Sequence, residues 1–230
     1  KAQFNEDTRF NTAIFKRFVS FNRAKFAKKA IFSRTYFAKG VKFNQVEFVG
    51  NASFNDLYCD HRFYMDKCKF LQESTFSNSK FLNIADFGRS EFHKQIKFKG
   101  TNFAKWVSFQ SAKFKNECHF NGADIGSNLF FGWARFENII NLSAISVQRN
   151  INFKNAVIGN DACFKFINAY FGRLFITKEQ LENHLESHLI SDFKTARQEY
   201  GLLKNNFREI NEYDQRSEER RVGKECATGC

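Results

Sequence analysis

The apolar positions of this chain fall on a grid rather than along one helical stripe. From Phe4, phenylalanine recurs at positions 10, 15, 21, 26, 32, 37, 43, 48 and 54, with gaps alternating between six and five. Carried on in the same steps, the grid passes through Cys59 and Met65 to Phe70 and ends at Phe175. Of its 32 points 25 are Phe, and this reading needs no insertion anywhere along it. A second series lies two residues earlier and is mostly small, with Ala24, Ala52, Ala85, Ala112 and Ala134 among its members. Two inward side chains flanking one outward residue is the alternation of a strand. Asn, Ser, Lys, Arg or Gly follow most of the Phe, so each short straight piece is expected to end in a corner. Steps of five and six cannot keep one face of an α-helix.

Stretches such as Ala24-Lys25-Phe26, Ala52-Ser53-Phe54, Ala85-Asp86-Phe87 and Ala112-Lys113-Phe114 resemble the Phe-centred branch of the pentapeptide-repeat family. The resemblance covers residues 1–175. It implies an all-β solenoid, a right-handed quadrilateral parallel β-helix, with the central residue and the one two before it pointing inward. The extra sixth residues depart from the strict five-residue form, so the corners are expected to be less regular.

Four faces per turn would stack residues 22 apart at the strand spacing of ~4.8 Å. The column Lys25, Glu47, Lys69, Glu91, Lys113 then alternates in sign as a charge ladder, before Arg135 breaks it. At half that spacing the alternation disappears. The inward series agrees, with Val19, Val41, Phe63, Val107, Leu129 and Ile151 large on one face. Ala24, Cys68, Ser90, Ala112 and Ala134 are small on another. About eight coils follow, with Phe26, Phe32, Phe43, Phe48, Phe54, Phe76, Phe87, Phe98, Phe109 and Phe120 expected in the core stack. Where the central residue shrinks, its inward neighbour grows: Leu57 with Cys59, Ile145 with Val147, Ile167 with Ala169. Close packing requires such compensation.

One or two helices are expected after the rod. Thr177 and Gln180 have the spacing of a capping box. Leu181, Leu185, Leu189, Phe193, Ala196, Tyr200, Leu203, Phe207 and Ile210 form a helical stripe over residues 176–215. Outward-facing Val157, Phe166, Tyr170, Phe171 and Leu174 are its expected docking surface. The run from Tyr200 to Asp214 also resembles the helical segment that follows the repeats in some family members, several of which continue into membrane-spanning segments. Residues 216–226 read as the translation of a common sequencing adapter, so 216–230 are expected to be foreign. The chain also opens in register and without Met, so a metagenomic fragment cut at both ends is expected.

Charge changes the picture next. The whole chain carries +12, but residues 1–175 hold 27 basic and 13 acidic groups, whereas 176–215 hold five and eight. One corner column reads Arg17, Lys39, His61, Asn83, Lys105, Ser127, Arg149 without an acid. Arg17, Lys39, His61, Lys105 and Arg149 are therefore a candidate anion-binding stripe for nucleic acid, lipid or an acidic protein. The competing reading is a solvated edge whose cations suppress association. Cys59, Cys68 and Cys118 lie on inward points as core fillers and only Cys163 faces out, which suggests a reducing, cytoplasmic location. Cys226 and Cys230 belong to the foreign tail.

Catalytic chemistry finds little support. His184 and His188 are four apart, but the spacing is not that of H-E-x-x-H and no third ligand is evident. His61, His93 and His119 are isolated, and no phosphate loop or nucleophile elbow is present. No cofactor and no small-molecule substrate are expected. A non-enzymatic scaffold or protein-interaction rod is the expected function, with the cytoplasmic part of a larger membrane-attached protein as one version of it and self-association through the C-terminal helices as one option. The alternative the resemblance implies, a DNA mimic that protects topoisomerases, needs a negative surface that this rod lacks.

Overall fold

The computed structural model describes residues 2–181, 184–185 and 194–208. The chain folds as a parallel β-solenoid of about eight turns, each built from four short strands. The first coil has Gln3–Phe4, Thr8–Arg9, Ile14–Phe15 and Val19–Ser20, which begin the first to fourth faces. Every strand pairs in parallel with its counterpart in the next coil, as Phe4 with Phe26 and Phe26 with Phe48. The offset is 22 residues, so the coil length read from the charge column is correct. At the strand spacing, eight coils make a rod ~38 Å long.

The Phe grid is the interior. Phe26, Phe32, Phe43, Phe48, Phe54, Phe76, Phe87, Phe98, Phe109 and Phe120 are all fully buried. Rings one coil apart lie nearly parallel, with centroids 4.5 Å apart for Phe54 and Phe76 and 4.8 Å for Phe114 and Phe136. Rings on adjacent faces meet edge-on, as Phe26 and Phe32 do at 85°. Both arrangements suit the quadrupole of the ring. Where Met65 replaces Phe, the inward Phe63 packs on Phe43, Phe76, Phe81 and Phe87.

Hydroxyls in the small inward series have a specific task. Thr35, Ser79, Ser90 and Thr101 donate to the carbonyls of Phe10, Phe54, Met65 and Phe76. Those carbonyls open the tight corners of the coil below, and Cys68 donates its thiol to Phe43 in the same way. Burial pushes the Cys59 and Cys68 thiols up to about 12.

Corners come in two kinds. After the second and fourth faces, residue i+2 of a hydrogen-bonded turn has positive φ, as at Thr12 (61°) between Phe10 and Ala13. The same conformation recurs every eleven residues from Thr12 to Asn155, mostly without glycine. The corners after the first and third faces lack this residue, except at Gly40, and correspond to the six-residue gaps.

The last coil departs from the grid. Pairing is Arg135 with Val157, but then Ile140 with Phe164, an offset of 24. Two residues have been inserted after the first face, and one is lost after the third, where Ile151 pairs with Leu174. The inward residues here are thus Phe164, Phe166, Phe171, Leu174 and Ile176, whereas Phe175 is 37% exposed. This corrects three expectations. An insertion does break the register, Ile167 does not compensate for Ala169, and Phe166, Phe171 and Leu174 face the core rather than outward. Cys163 is buried as well. In the coil before, Ser146–Asn152 runs straight through a corner and joins the third and fourth faces into one 14-stranded sheet.

Helix α1 (Lys178–Leu181) begins with the expected capping box, Gln180 N–H to Thr177 Oγ1 and Thr177 N–H to Gln180 Oε1. The chain then leaves the helix: Leu185 bridges Phe164, and the Phe164 N–H donates to the His184 carbonyl at 2.6 Å. Leu181 and Leu185 therefore do not share one continuous helical stripe with Ala196. Helix α2 (194–208) buries Ala196, Glu199, Leu203 and Asn206, while Tyr200, expected on the stripe, is exposed. Polar side chains are buried because the final coil has no ninth coil to pair with. Glu199 accepts from the Phe166 N–H at 2.6 Å, and Gln180 donates to the carbonyls of Phe153 and Ala156. Leu189, Phe193, Ile210 and residues 216–230 lie outside the described residues.

Candidate interaction surface

The outward residue of each strand and the corners make the surface, and the 22-residue register arranges them in columns. On the first face, Lys25, Glu47, Lys69, Glu91 and Lys113 stand side by side on successive strands. Lys25 meets Glu47 and Lys113 meets Glu91, both at 2.9 Å. The hydrogen bond from Lys113 holds the Glu91 carboxyl below its usual range. The ladder therefore pairs most of its charge within its own face and leaves a net of one cation to a partner.

The stripe behaves differently. Arg17, Lys39, His61, Lys105 and Arg149 are all exposed, the first four at the third corner and Arg149 within the straightened strand. Only Arg17, Lys39 and His61 occupy successive coils, because Asn83 and Ser127 interrupt the rest. The nearest acid in sequence, Asp60, accepts a hydrogen bond from the Tyr36 hydroxyl, which raises the phenol above its ordinary pKa.

Apolar side chains flank that corner, at positions that the inward grid does not include. On the third face, Ile14, Tyr36 and Tyr58 occupy one outward column, and the two tyrosines meet edge to face at 5.5 Å. Across the corner, the Lys42 ammonium lies 5.8 Å from the Phe18 ring and 5.6 Å from the Tyr64 ring. Ile14 is 63% exposed and Phe18 51%. The signal was legible: position 14 plus multiples of 22 gives Ile, Tyr, Tyr.

A shallow groove of about 570 Å³ lies further along the fourth face, lined by Asp66, Asp86, Arg89, Trp106, Gln110 and Phe130. Arg89 clamps Asp66 in a bidentate pair at 2.7 and 2.8 Å, so that cation is already engaged. Burial raises the Asp86 carboxyl above its ordinary pKa, although its Oδ1 accepts from the Gly88 N–H. His184 Nδ1 lies 2.6 Å from the Ala162 carbonyl, and His188 lies outside the described residues. Among the described residues no group of three or more His, Cys, Asp or Glu is placed to hold a metal ion. Nor is any helix among them long and apolar enough to cross a membrane. The chain matches no family model, no curated protein and no solved structure.

Proposed function

We propose that this chain is a non-enzymatic interaction rod of the pentapeptide-repeat type, which acts through its outer surface. One observation carries the reading. The interior is filled by stacked rings from coil to coil, so every group free to meet a partner stands outside, in columns at the coil spacing. Such a solenoid presents an extended surface rather than an enclosed site. The basic balance of residues 1–175 argues against mimicry of duplex DNA. Four buried thiols among the described residues support a reducing location, such as the cytoplasm.

Crosslinking in an extract of the source cells tests the reading. Outward substitutions that leave the melting temperature unchanged are expected to abolish recovery of a defined partner. Turnover of a substrate by the purified chain, lost on Asp86→Asn or Arg89→Gln in variants that circular dichroism shows to be folded, would overturn it.

A further inference from the structure

We propose that the third corner of the first three coils docks on an anionic lipid bilayer. The inference rests on the interaction-rod reading and names the partner of that surface. Its warrant is the pairing of two kinds of side chain at one ridge. Lys16, Arg17, Lys39 and Arg62 are exposed along it, and Asp60 is its one acid, already bonded to Tyr36. Ile14 and Phe18 stand out on either side of Lys16 and Arg17, more than half exposed. Cations draw a protein to an anionic leaflet, and apolar side chains entering the headgroup region supply the second contribution that stable docking needs.

The aromatic geometry selects lipid over nucleic acid. Stacking a base requires an open ring face. Here the Lys42 ammonium lies over the rings of Phe18 and Tyr64, and Tyr36 and Tyr58 pack against each other. One face of the Phe18 and Tyr64 rings is thus taken by a cation and the Tyr36 hydroxyl by Asp60, which leaves the exposed apolar surface of Ile14 and Phe18 on a basic ridge, the combination that interfacial docking uses. A bilayer also accepts a straight ridge whose cations repeat at the strand spacing without matching any phosphate repeat.

Co-sedimentation of the full chain with phosphatidylcholine vesicles, with and without about one third phosphatidylserine, tests the proposal. Binding is expected only to the anionic vesicles, and it weakens as salt rises. Lys16→Gln with Arg17→Gln is expected to weaken it about 30-fold, from the contribution of two cations near the surface. Ile14→Ser with Phe18→Ser, which keeps the charge, is expected to weaken it too. Lys94→Gln with Lys115→Gln removes the same charge at the first corner and is expected to change it little. Circular dichroism confirms that each variant is folded.

Absence of binding, or equal loss from both charge-removing pairs, overturns the proposal. Binding to a single-stranded oligonucleotide in preference to the vesicles overturns it in favour of a phosphate-backbone partner. In each of these cases the interaction-rod reading still stands or falls by its own crosslinking and turnover assays.

Discussion

Asn206 closes both backbone valences of Leu174: its Oδ1 accepts the N–H at 2.8 Å and its Nδ2 donates to the carbonyl at 2.9 Å. A parallel solenoid leaves a row of such groups open on its last coil, and an open edge is a template for pairing with another chain. Asn206→Leu keeps the bulk but leaves a buried donor and acceptor unpaired, at about 1–3 kcal/mol each. The expected outcome is a lower unfolding midpoint and faster hydrogen exchange at the Leu174 amide. An unchanged exchange rate there would show that the cap does not hold this edge.

The register shift in the last coil makes opposite demands on two phenylalanines nine residues apart. Phe166→Ala empties a buried site and is expected to cost about 3–5 kcal/mol. Phe175→Ala, at a point that the repeat alone would place in the core, is expected to cost much less, about 1 kcal/mol. Denaturant titration of the two variants decides between the registers. Phe87→Ala, in the regular part of the rod, serves as the reference for a full cavity.

Corner chemistry predicts a change of sign. Ala144 has φ of 52°, where a β-carbon is strained, so Ala144→Gly is expected to stabilise by roughly 0.5–1 kcal/mol. Ala104, also exposed, belongs to a corner without that conformation, and Ala104→Gly is expected to destabilise by a similar amount. Equal effects in thermal melts would remove the distinction between the two corner types.

Two carboxylates should answer pH in opposite directions. The folded-state pKa of Asp86 is raised, so its ionised form costs stability as pH climbs from its ordinary 3.8 through the folded value. Asp86→Asn is therefore expected to raise the midpoint at neutral pH, with the gain vanishing in acid. The pKa of Glu91 is lowered, so its contribution is present above the ordinary 4.5 and is lost as pH falls through the folded value. Glu91→Gln is expected to lower the neutral-pH midpoint slightly, within about 1 kcal/mol for a partly exposed pair. Melting curves of both variants across acid and neutral pH check the signs.

Most of the rod was legible because its core is one residue type at a fixed step. The column from Lys25 to Lys113 set the coil length, since ion pairing across strands leaves a mark at the coil period. The last coil was not legible, because Phe164 and Phe175 fall on the old grid by coincidence: Phe164 now belongs to the earlier inward series, Phe175 points outward, and the central points have moved to Phe166, Phe171 and Ile176. Glu199 and Asn206 were invisible for a different reason. Polar residues on a buried helical face make sense only once the unpaired strand beneath them is known. On the surface, Ile14 and Phe18 lie off the Phe grid, although one exposed apolar side chain on each side of a basic pair is itself a pattern.

The two kinds of corner also divide the rod into parts that can and cannot accept foreign sequence. Both length changes in the last coil, the two-residue gain near Gly159 and the loss near Gly172, fall at corners after the first and third faces. The positive-φ turns keep their place even across the gain, since Asn168 still follows Phe166 by two. A peptide grafted at the first kind of site would be displayed at a chosen height along the rod without disturbing the coils above and below. The distance between two such grafts would then change in steps of one coil, as along the divisions of a ruler.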